Sequence, residues 1–298
     1  MAIELDELNA MHPADFVRAM TPVFEGAVWV AERAAEIRPF PTVAALHQAL
    51  FDEVLESDEE LQLEFLRGHP DLGGRAARQR TMGMHSTAEQ AALGLDRMDE
   101  AGFARFASMN EAYRARFGFP FMICVRRHTS GSILRQFARR LAAEPGVERG
   151  AALEEVFRIT RLRIVGLVEG PGMPEVAGVL ATQVTDTAGG RAAVGMKIEL
   201  FVVDDAGVSR VRNVVTDEDG RAGLMADGGP LRIGVYELRF HVGAYFGAAT
   251  QAGEPPFLDV VPVRVGVSEA EGRYQLAVAA GPFTYSVVRE LGLRAREG

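Results

Sequence analysis

The chain contains a single cysteine, Cys124, which lies in an apolar segment. One thiol excludes a disulfide framework within the chain, and we expect it to be a packed core residue in a reducing compartment. No apolar run is long enough to cross a bilayer, so no membrane-spanning segment is predicted. The few histidines do not fall at the spacings typical of zinc sites, so no metal site is predicted either.

Positive charge is also scarce, since 32 Lys and Arg residues stand against 41 Asp and Glu residues and leave a net charge of −9. This balance disfavours nucleic acid as a general partner. An anionic ligand must therefore be attracted by local arginines and not by the overall field. The stretch MAIELDELN is acidic and lacks a basic-then-apolar signal pattern, so a cytoplasmic location is expected.

The hydrophobic pattern changes at about residue 170, which predicts a multidomain protein. Before that point apolar residues recur every three to four positions, as in TVAALHQALFDEVL, which indicates helices. After it come short alternating runs such as MKIELFVVD and VYELRFHVG, separated by turn sequences such as DEDGR. We expect an all-α N-terminal domain over residues 1–167, a Gly- and Pro-rich linker over 168–178, and an all-β sandwich over 179–298.

The segment RGHPDLGGRAARQRTMGMHSTAEQ offers the first candidate chemistry. Gly68 and Pro70 interrupt helical sequence, so His69 is predicted to lie on a loop. Ser86 is a predicted helix N-cap, because Glu89 follows three residues later and an Ala-rich stretch comes next. Either His69 and Glu89 form an acid/base pair, or Glu89 only closes a capping box and His69 is a surface turn residue.

Three further segments accompany this one: PVFEGAVWVAERAAEIRPF, FASMNEAYRARFGFPFMICVR and ALEEVFRITRLRI. Together they resemble the 2-oxo-4-hydroxy-4-carboxy-5-ureidoimidazoline (OHCU) decarboxylase family over about residues 5–166. The most specific pieces are HPDLG, S-x-x-EQ and FGFPF-x-ICVR. The resemblance implies a carboxy-lyase of urate degradation that converts OHCU, an anionic ureido-imidazoline, into (S)-allantoin. It also implies that no metal or organic cofactor is needed, because the substrate's own carbonyl accepts the electron pair.

The resemblance assigns roles to particular residues. His69 is the implied acid/base group, and Glu89 would bind the substrate and help to set the imidazole tautomer. Arg163 is the implied arginine for the substrate carboxylate, to which a planar guanidinium is suited. The implied substrate-binding residues are Pro70, Ser86, Gln90, Phe119, Ile123 and Arg163.

Simpler structural explanations exist for Arg163, Phe119 and Phe121. Arg163 would also be accounted for as a cation on a helix surface, paired with Glu155 or a neighbouring carboxylate. Phe119 and Phe121 would be accounted for as core residues, and we favour that interpretation for Phe121. The backbone from Phe119 to Ile123 is nevertheless the expected pocket wall, because Pro120 interrupts regular pairing and leaves amide groups available to a ligand.

The second half resembles the transthyretin-like 5-hydroxyisourate hydrolase family over about residues 178–289. The resemblance depends on ATQVTDTAGGRAAVGMKIELF, VTDEDGRAG, PPFLDVVPVRVGV and YQLAVAAGPFTYSVVRE. Two histidine motifs of that family are altered here: Gln183 occupies the histidine position of one, and Arg273 and Gln275 occupy the two histidine positions of the other. Only Arg221 keeps its motif. Glutamine cannot take a proton at neutral pH, so hydroxyisourate hydrolase activity is expected to be lost.

We expect this degenerate domain to serve assembly into a homo-oligomer, a dimer or tetramer. Alternatively, Gln183, Arg221 and Gln275 bind a polar heterocycle as a regulatory module. A third alternative is a bifunctional allantoin synthase that retains hydrolysis, and a fourth is a binding protein in which both halves are relics. If hydrolysis is lost, a separate hydroxyisourate hydrolase and a urate oxidase are expected to supply the substrate.

Overall fold

The computed structural model describes residues 2–25, 27–73, 100–204, 207–225, 230–247 and 255–290. The chain forms two compact units: residues 1–126 with 133–175, and residues 127–132 with 176–298. The division at residues 175 and 176 falls within the expected linker, although the first part of that linker belongs to the helical unit. Val168–Glu169 pairs with Ile3–Glu4 as a parallel two-stranded sheet. The carbonyls of residues 171 and 172 also accept hydrogen bonds from the start of a helix.

The short segment 127–132 groups with the β unit, although the sequence placed it in the helical domain. The reason is local pairing within the β unit. The N–H of Thr129 donates to the carbonyl of Ile233 at 3.0 Å, and Ile233 N–H donates to Arg127 at 2.7 Å. The guanidinium of Arg127 also forms an ion pair with Glu271.

The first unit is built from helices, as predicted. The helices are α1 (Leu5–Ala10), α2 (Pro13–Met20), α3 (Val28–Glu36), α4 (Val43–Leu55), α5 (Glu59–Arg67), α6 (Glu100–Phe117), α7 (Ser130–Leu141) and α8 (Pro145–Leu167), with 3-10 turns at Thr21–Phe24 and Val125–Arg127. The two short strands are β1 (Ile3–Glu4) and β2 (Val168–Glu169).

Helices α4 and α5 illustrate why these sequences fold as they do. The side chain of Thr42 caps α4 by accepting from Ala45 N–H at 3.0 Å, and Asp58 caps α5 in the same way at 2.9 Å. Buried residues of α4 recur at helical spacing, from Val43 to Val54, and face one core. Gly68 ends α5, so the chain turns immediately before His69.

The second unit is the predicted sandwich of two sheets. Its strands are β3 (Val179–Asp186), β4 (Arg191–Ala192), β5 (Lys197–Asp204), β6 (Gly207–Val215), β7 (Arg221–Met225), β8 (Gly234–His241), β9 (Val260–Val267), β10 (Arg273–Ala280) and β11 (Tyr285–Glu290), with a short helix, α9 (Val242–Phe246). One sheet has the order β11-β10-β3-β4, with β7 also paired to β3, and the other has the order β6-β5-β8-β9.

The two sheets of the β unit enclose a shared apolar core. Strands β3 and β10 pair in parallel, and in both strands every second residue is buried. Leu180, Leu200, Leu238 and Leu276 contribute to this core from strands of both sheets. The strict alternation of buried and outward-facing residues is the property that the sequence pattern predicted.

Candidate active site

The helical unit contains an open pocket, whose empty volume of about 400 Å³ includes space continuous with the solvent. Four parts of the chain contribute to it: the residue after the first 3-10 turn, the loop after α5, the segment after α6, and one face of α8. The lining residues are Glu25, His69, Pro70, Leu72, Phe121, Met122, Ile123, Val125, Ile159 and Arg163. The pocket therefore combines an imidazole, a carboxylate and a guanidinium with apolar walls.

His69 is buried, with 8% of its surface exposed, so the interpretation as a surface turn residue is wrong. Its Nδ1 lies 3.0 Å from the carbonyl oxygen of Phe65, and its ring meets the Phe65 ring edge-on. A carbonyl oxygen can only accept, so Nδ1 carries the hydrogen and Nε2 of the neutral ring is free to act as a base. A backbone carbonyl therefore sets the tautomer in the described part of the chain.

Burial lowers the pKa of His69 from its ordinary value of 6.5. The negative charge of Glu25 and the Phe65 carbonyl oppose this shift, whereas the positive charge of Arg163 adds to it. A desolvated imidazole next to a guanidinium is held in its neutral form, because both surroundings disfavour a second positive charge. At neutral pH the imidazole is therefore in the form that can accept a proton.

Arg163 faces the pocket from α8, one turn after Ile159. Its Nη1 donates to the carbonyl of Val23 at 3.1 Å, and its Nη2 lies 3.3 Å from Oε1 of Glu25. The alternative in which Arg163 is a surface cation paired with Glu155 is wrong, because Arg163 is buried. Glu155 instead accepts from the N–H of Cys124 at 2.8 Å.

The pocket wall after α6 is formed by Phe121, Met122 and Ile123. The ring of Phe121 stacks on Phe137 at 4.0 Å, so this residue both packs in the core and lines the pocket. Phe119 does not line it, contrary to the expectation for this residue. Its buried ring meets the Tyr113 ring edge-on, and core packing accounts for it.

Sequence reasoning missed Glu25 as a pocket residue. The available signal was a carboxylate between apolar residues in PVFEGAVW, within a segment already used for the family resemblance. Ser86, Glu89 and Gln90 lie outside the described residues, so their roles stay predictions.

The three residues of the expected second site lie on one outward face of the β unit. Gln183 on β3 is paired in register with Arg221 on β7, and Gln275 on β10 is paired with Ala181, two positions from Gln183 on the same face. Gln183 donates to the carbonyl of Asp219 at 3.2 Å, and Arg221 lies 3.2 Å from the Asp219 carboxylate. The side chains of all three residues are at least partly exposed, and Gln183 and Arg221 already have a partner in the loop after β6.

Two further absences hold for the described part of the chain. No group of three or more His, Cys, Asp or Glu residues there is arranged to hold a metal ion. No described helix is both long and apolar enough to span a membrane.

Comparison with protein families finds two matches. Residues 9–165 match the model described as OHCU decarboxylase, and residues 180–290 match that of the HIUase/transthyretin family. Among curated proteins, the OHCU decarboxylase of Haloferax volcanii is 38% identical over 162 residues, which is 54% of this chain and 94% of that protein. The 5-hydroxyisourate hydrolase 2 of Rhizobium meliloti is 39% identical over 115 residues, which is 38% of this chain and 96% of that protein.

Two further similar proteins carry names that refer to uric acid degradation or to (S)-allantoin. The uric acid degradation bifunctional protein PucL of Bacillus subtilis is 34% identical over 168 residues, which is 56% of this chain but only 33% of that protein. This chain thus spans about a third of that relative. A crystal structure of (S)-allantoin synthase matches 97% of this chain and 100% of its own, with 27% identity and a TM-score of 0.54.

Proposed function

Because the chain belongs to the OHCU decarboxylase family over residues 9–165 and to the HIUase/transthyretin family over residues 180–290, we propose that it forms (S)-allantoin by decarboxylating OHCU in urate degradation. The observation that carries this proposal is the pocket in which a buried His69 and Arg163 line the same space. The likeness to (S)-allantoin synthase over nearly the whole chain supports the choice of product.

The reaction requires the loss of carbon dioxide and the uptake of one proton. Breaking the bond to the carboxylate leaves the electron pair of that bond in the ring. A ring carbon must then be protonated on one face. Arg163 supplies a guanidinium that suits the carboxylate, and its hydrogen bond to the Val23 carbonyl holds that group in place. A buried site strengthens this attraction, since water does not screen it.

His69 is suited to the proton transfers. Its Nε2 takes the proton of the substrate hydroxyl group, and the imidazolium then returns that proton to carbon. The one proton that the whole reaction takes up comes from solvent and neutralises the product ring. The Phe65 carbonyl holds the ring in one orientation, so delivery is restricted to one face of the planar intermediate. The pocket wall after α6 contributes backbone amides. In the described part of the chain, no hydrogen bond occupies the N–H groups of Met122 and Ile123. These groups are free to meet the carbonyl oxygens of the ring.

We infer that the β unit has lost hydroxyisourate hydrolysis. Gln183 and Gln275 have no group that accepts a proton at neutral pH, and Arg221 is engaged with Asp219. Its outward sheet face carries the small residues Ala181 and Ala277 beside these polar ones, which suits close packing against another copy. We therefore propose assembly as the role of this unit, in a cytoplasmic homo-oligomer; sedimentation of the full chain tests it, and a monomer would refute it.

The proposed reaction is tested by generating hydroxyisourate from urate with urate oxidase and following circular dichroism. We expect prompt (S)-allantoin when this protein and a separate hydroxyisourate hydrolase are both added. No acceleration and a racemic product, as expected for protonation from both faces in solution, would refute decarboxylation. Prompt (S)-allantoin without the added hydrolase would instead support a bifunctional enzyme and refute the inferred loss of hydrolysis.

A further inference from the structure

Glu25 has an unusual backbone conformation. With φ +46° and ψ +47° it lies in the left-handed region, and it is the one non-glycine residue with positive φ in the described part of the chain. This conformation is unfavourable for a residue with a Cβ atom. Such conformations persist where the surroundings impose them and are concentrated at functional sites. The strained residue here lies directly in the candidate pocket.

The strained backbone places the Glu25 carboxylate next to Arg163. The Glu25 side chain is mostly buried, with 12% exposed, and its Oε1 lies 3.3 Å from Nη2 of Arg163. The other terminal nitrogen of Arg163 donates to the carbonyl of Val23, two residues before Glu25. Both ends of the guanidinium are thus held by one short stretch of chain, which fixes the plane of the fork.

Glu25 also lies next to His69. The two residues together line the pocket described above and a second pocket, whose other lining residues include three aromatic side chains. The charges of Glu25 and Arg163 act on His69 in opposite directions, the former raising its pKa and the latter lowering it. Glu64, also in the second pocket, is the other charged group there among the described residues.

We propose that Glu25 is a positioning residue of the decarboxylase site, which orients the Arg163 guanidinium and balances its charge beside His69. The inference rests on the proposed function and adds a residue to it. Stability by itself would account for a carboxylate partner beside a buried arginine. Stability alone, however, does not require that partner to lie in the pocket in a strained conformation, where it opposes binding of an anionic substrate.

The test uses Glu25→Gln in the full chain, because this change removes the charge and keeps the shape and a hydrogen-bonding oxygen. Glu53→Gln is the matched control: Glu53 is a partly buried carboxylate of the same unit, 3.7 Å from Arg33, and it lines neither pocket. Both variants change the net charge by the same amount. The pH dependence of kcat/KM is measured for both, since its acid limb reports His69 in the free enzyme.

We expect the acid limb to move to lower pH in Glu25→Gln and to stay at the wild-type position in Glu53→Gln. The reason is that removing the negative charge leaves Arg163 unopposed beside the imidazole. Glu25→Ala, which also removes the oxygen that holds the fork, should raise KM by roughly tenfold. A partner that served stability alone would lower the melting temperature in Glu25→Gln without moving the limb.

An acid limb that coincides in wild type and Glu25→Gln overturns the proposal. A second measurement distinguishes a failure of this proposal from a failure of the proposed function. The His69 imidazole is titrated by nuclear magnetic resonance in wild type and Glu25→Gln, with its signal assigned from His69→Asn. If wild type does not decarboxylate OHCU but the His69 titration still shifts, the proposed function fails while the charge balance stands. An unshifted titration overturns the charge balance even if the enzyme is active.

Discussion

A buried polar network behind the pocket wall offers a test that joins stability to function. Arg140 donates two hydrogen bonds to Oε1 of Glu148, at 2.8 and 2.6 Å, and a third to the carbonyl of Met122 at 2.7 Å. Its guanidinium also lies over the Phe121 ring, 4.7 Å from the centroid. Tyr113 donates to the same carboxylate oxygen. Arg140 thus fixes two residues of the pocket wall.

The informative change is Arg140→Met, which keeps the volume and removes the charge. Glu148 is only 1% exposed, and its Oε2 already has no hydrogen-bond partner. The variant leaves this carboxylate with Tyr113 alone. Removing one partner of a buried ion pair costs about 3–5 kcal/mol. We therefore expect the free energy of unfolding of the helical unit to fall by about that amount.

Adding Glu148→Leu to Arg140→Met should recover about 1–3 kcal/mol, because it removes the stranded charge. The recovery should be incomplete, since the Tyr113 hydroxyl then loses its acceptor. With Met122 no longer held, kcat/KM should fall by roughly tenfold or more in both variants, since small misplacements of a binding wall are costly. The double variant is therefore expected to regain part of its stability without regaining activity.

Urea unfolding followed by tryptophan fluorescence is the appropriate assay, because Trp29 is the one tryptophan of the chain and lies on α3 of the helical unit. Its signal reports this unit and not the β unit. A double variant no more stable than Arg140→Met would refute the argument from an unpaired charge. A wild-type kcat/KM in folded Arg140→Met would refute the role of Arg140 in holding the wall.

Three further predictions follow from the described contacts and the assigned roles. The pKa of His47 is lowered by burial from 6.5 to about 4. As the pH falls below 7, the unfolded state therefore binds more protons at this residue than the folded state does. Wild type should therefore lose about 1.8 kcal/mol more stability than His47→Gln between pH 7 and pH 5, as measured by urea unfolding; equal losses would contradict this. Arg163→Lys should raise KM roughly tenfold with a smaller effect on kcat, because the planar fork is lost; an unchanged KM in initial-rate assays would remove its assigned role. His69→Asn, and likewise Glu89→Ala, should slow decarboxylation by roughly 10²-fold or more and leave racemic product; unchanged turnover in circular dichroism would refute the corresponding assignment.

Much of the architecture follows from local sequence. The apolar spacing of α4 and the Thr42 cap specify a helix before any tertiary contact is considered. The alternation in β3 and β10 specifies strands with one buried face, and with it the common outward side of Gln183 and Gln275. The loop position of His69 follows from its neighbours Gly68 and Pro70. These features depend on periods of two or 3.6 residues, which a sequence displays directly.

Within the helical unit, the partners of the site residues were decided only by tertiary structure. Arg163 has Glu155 eight positions before it on its own helix, yet its partner is Glu25, which is 138 residues away in sequence. Phe119 and Phe121 have similar local patterns, but only Phe121 reaches the pocket. The acceptor that sets the His69 tautomer is a backbone carbonyl, which carries no side-chain signal. Local spacing specifies which face of an element is buried, whereas the packing of distant elements determines which group meets it there.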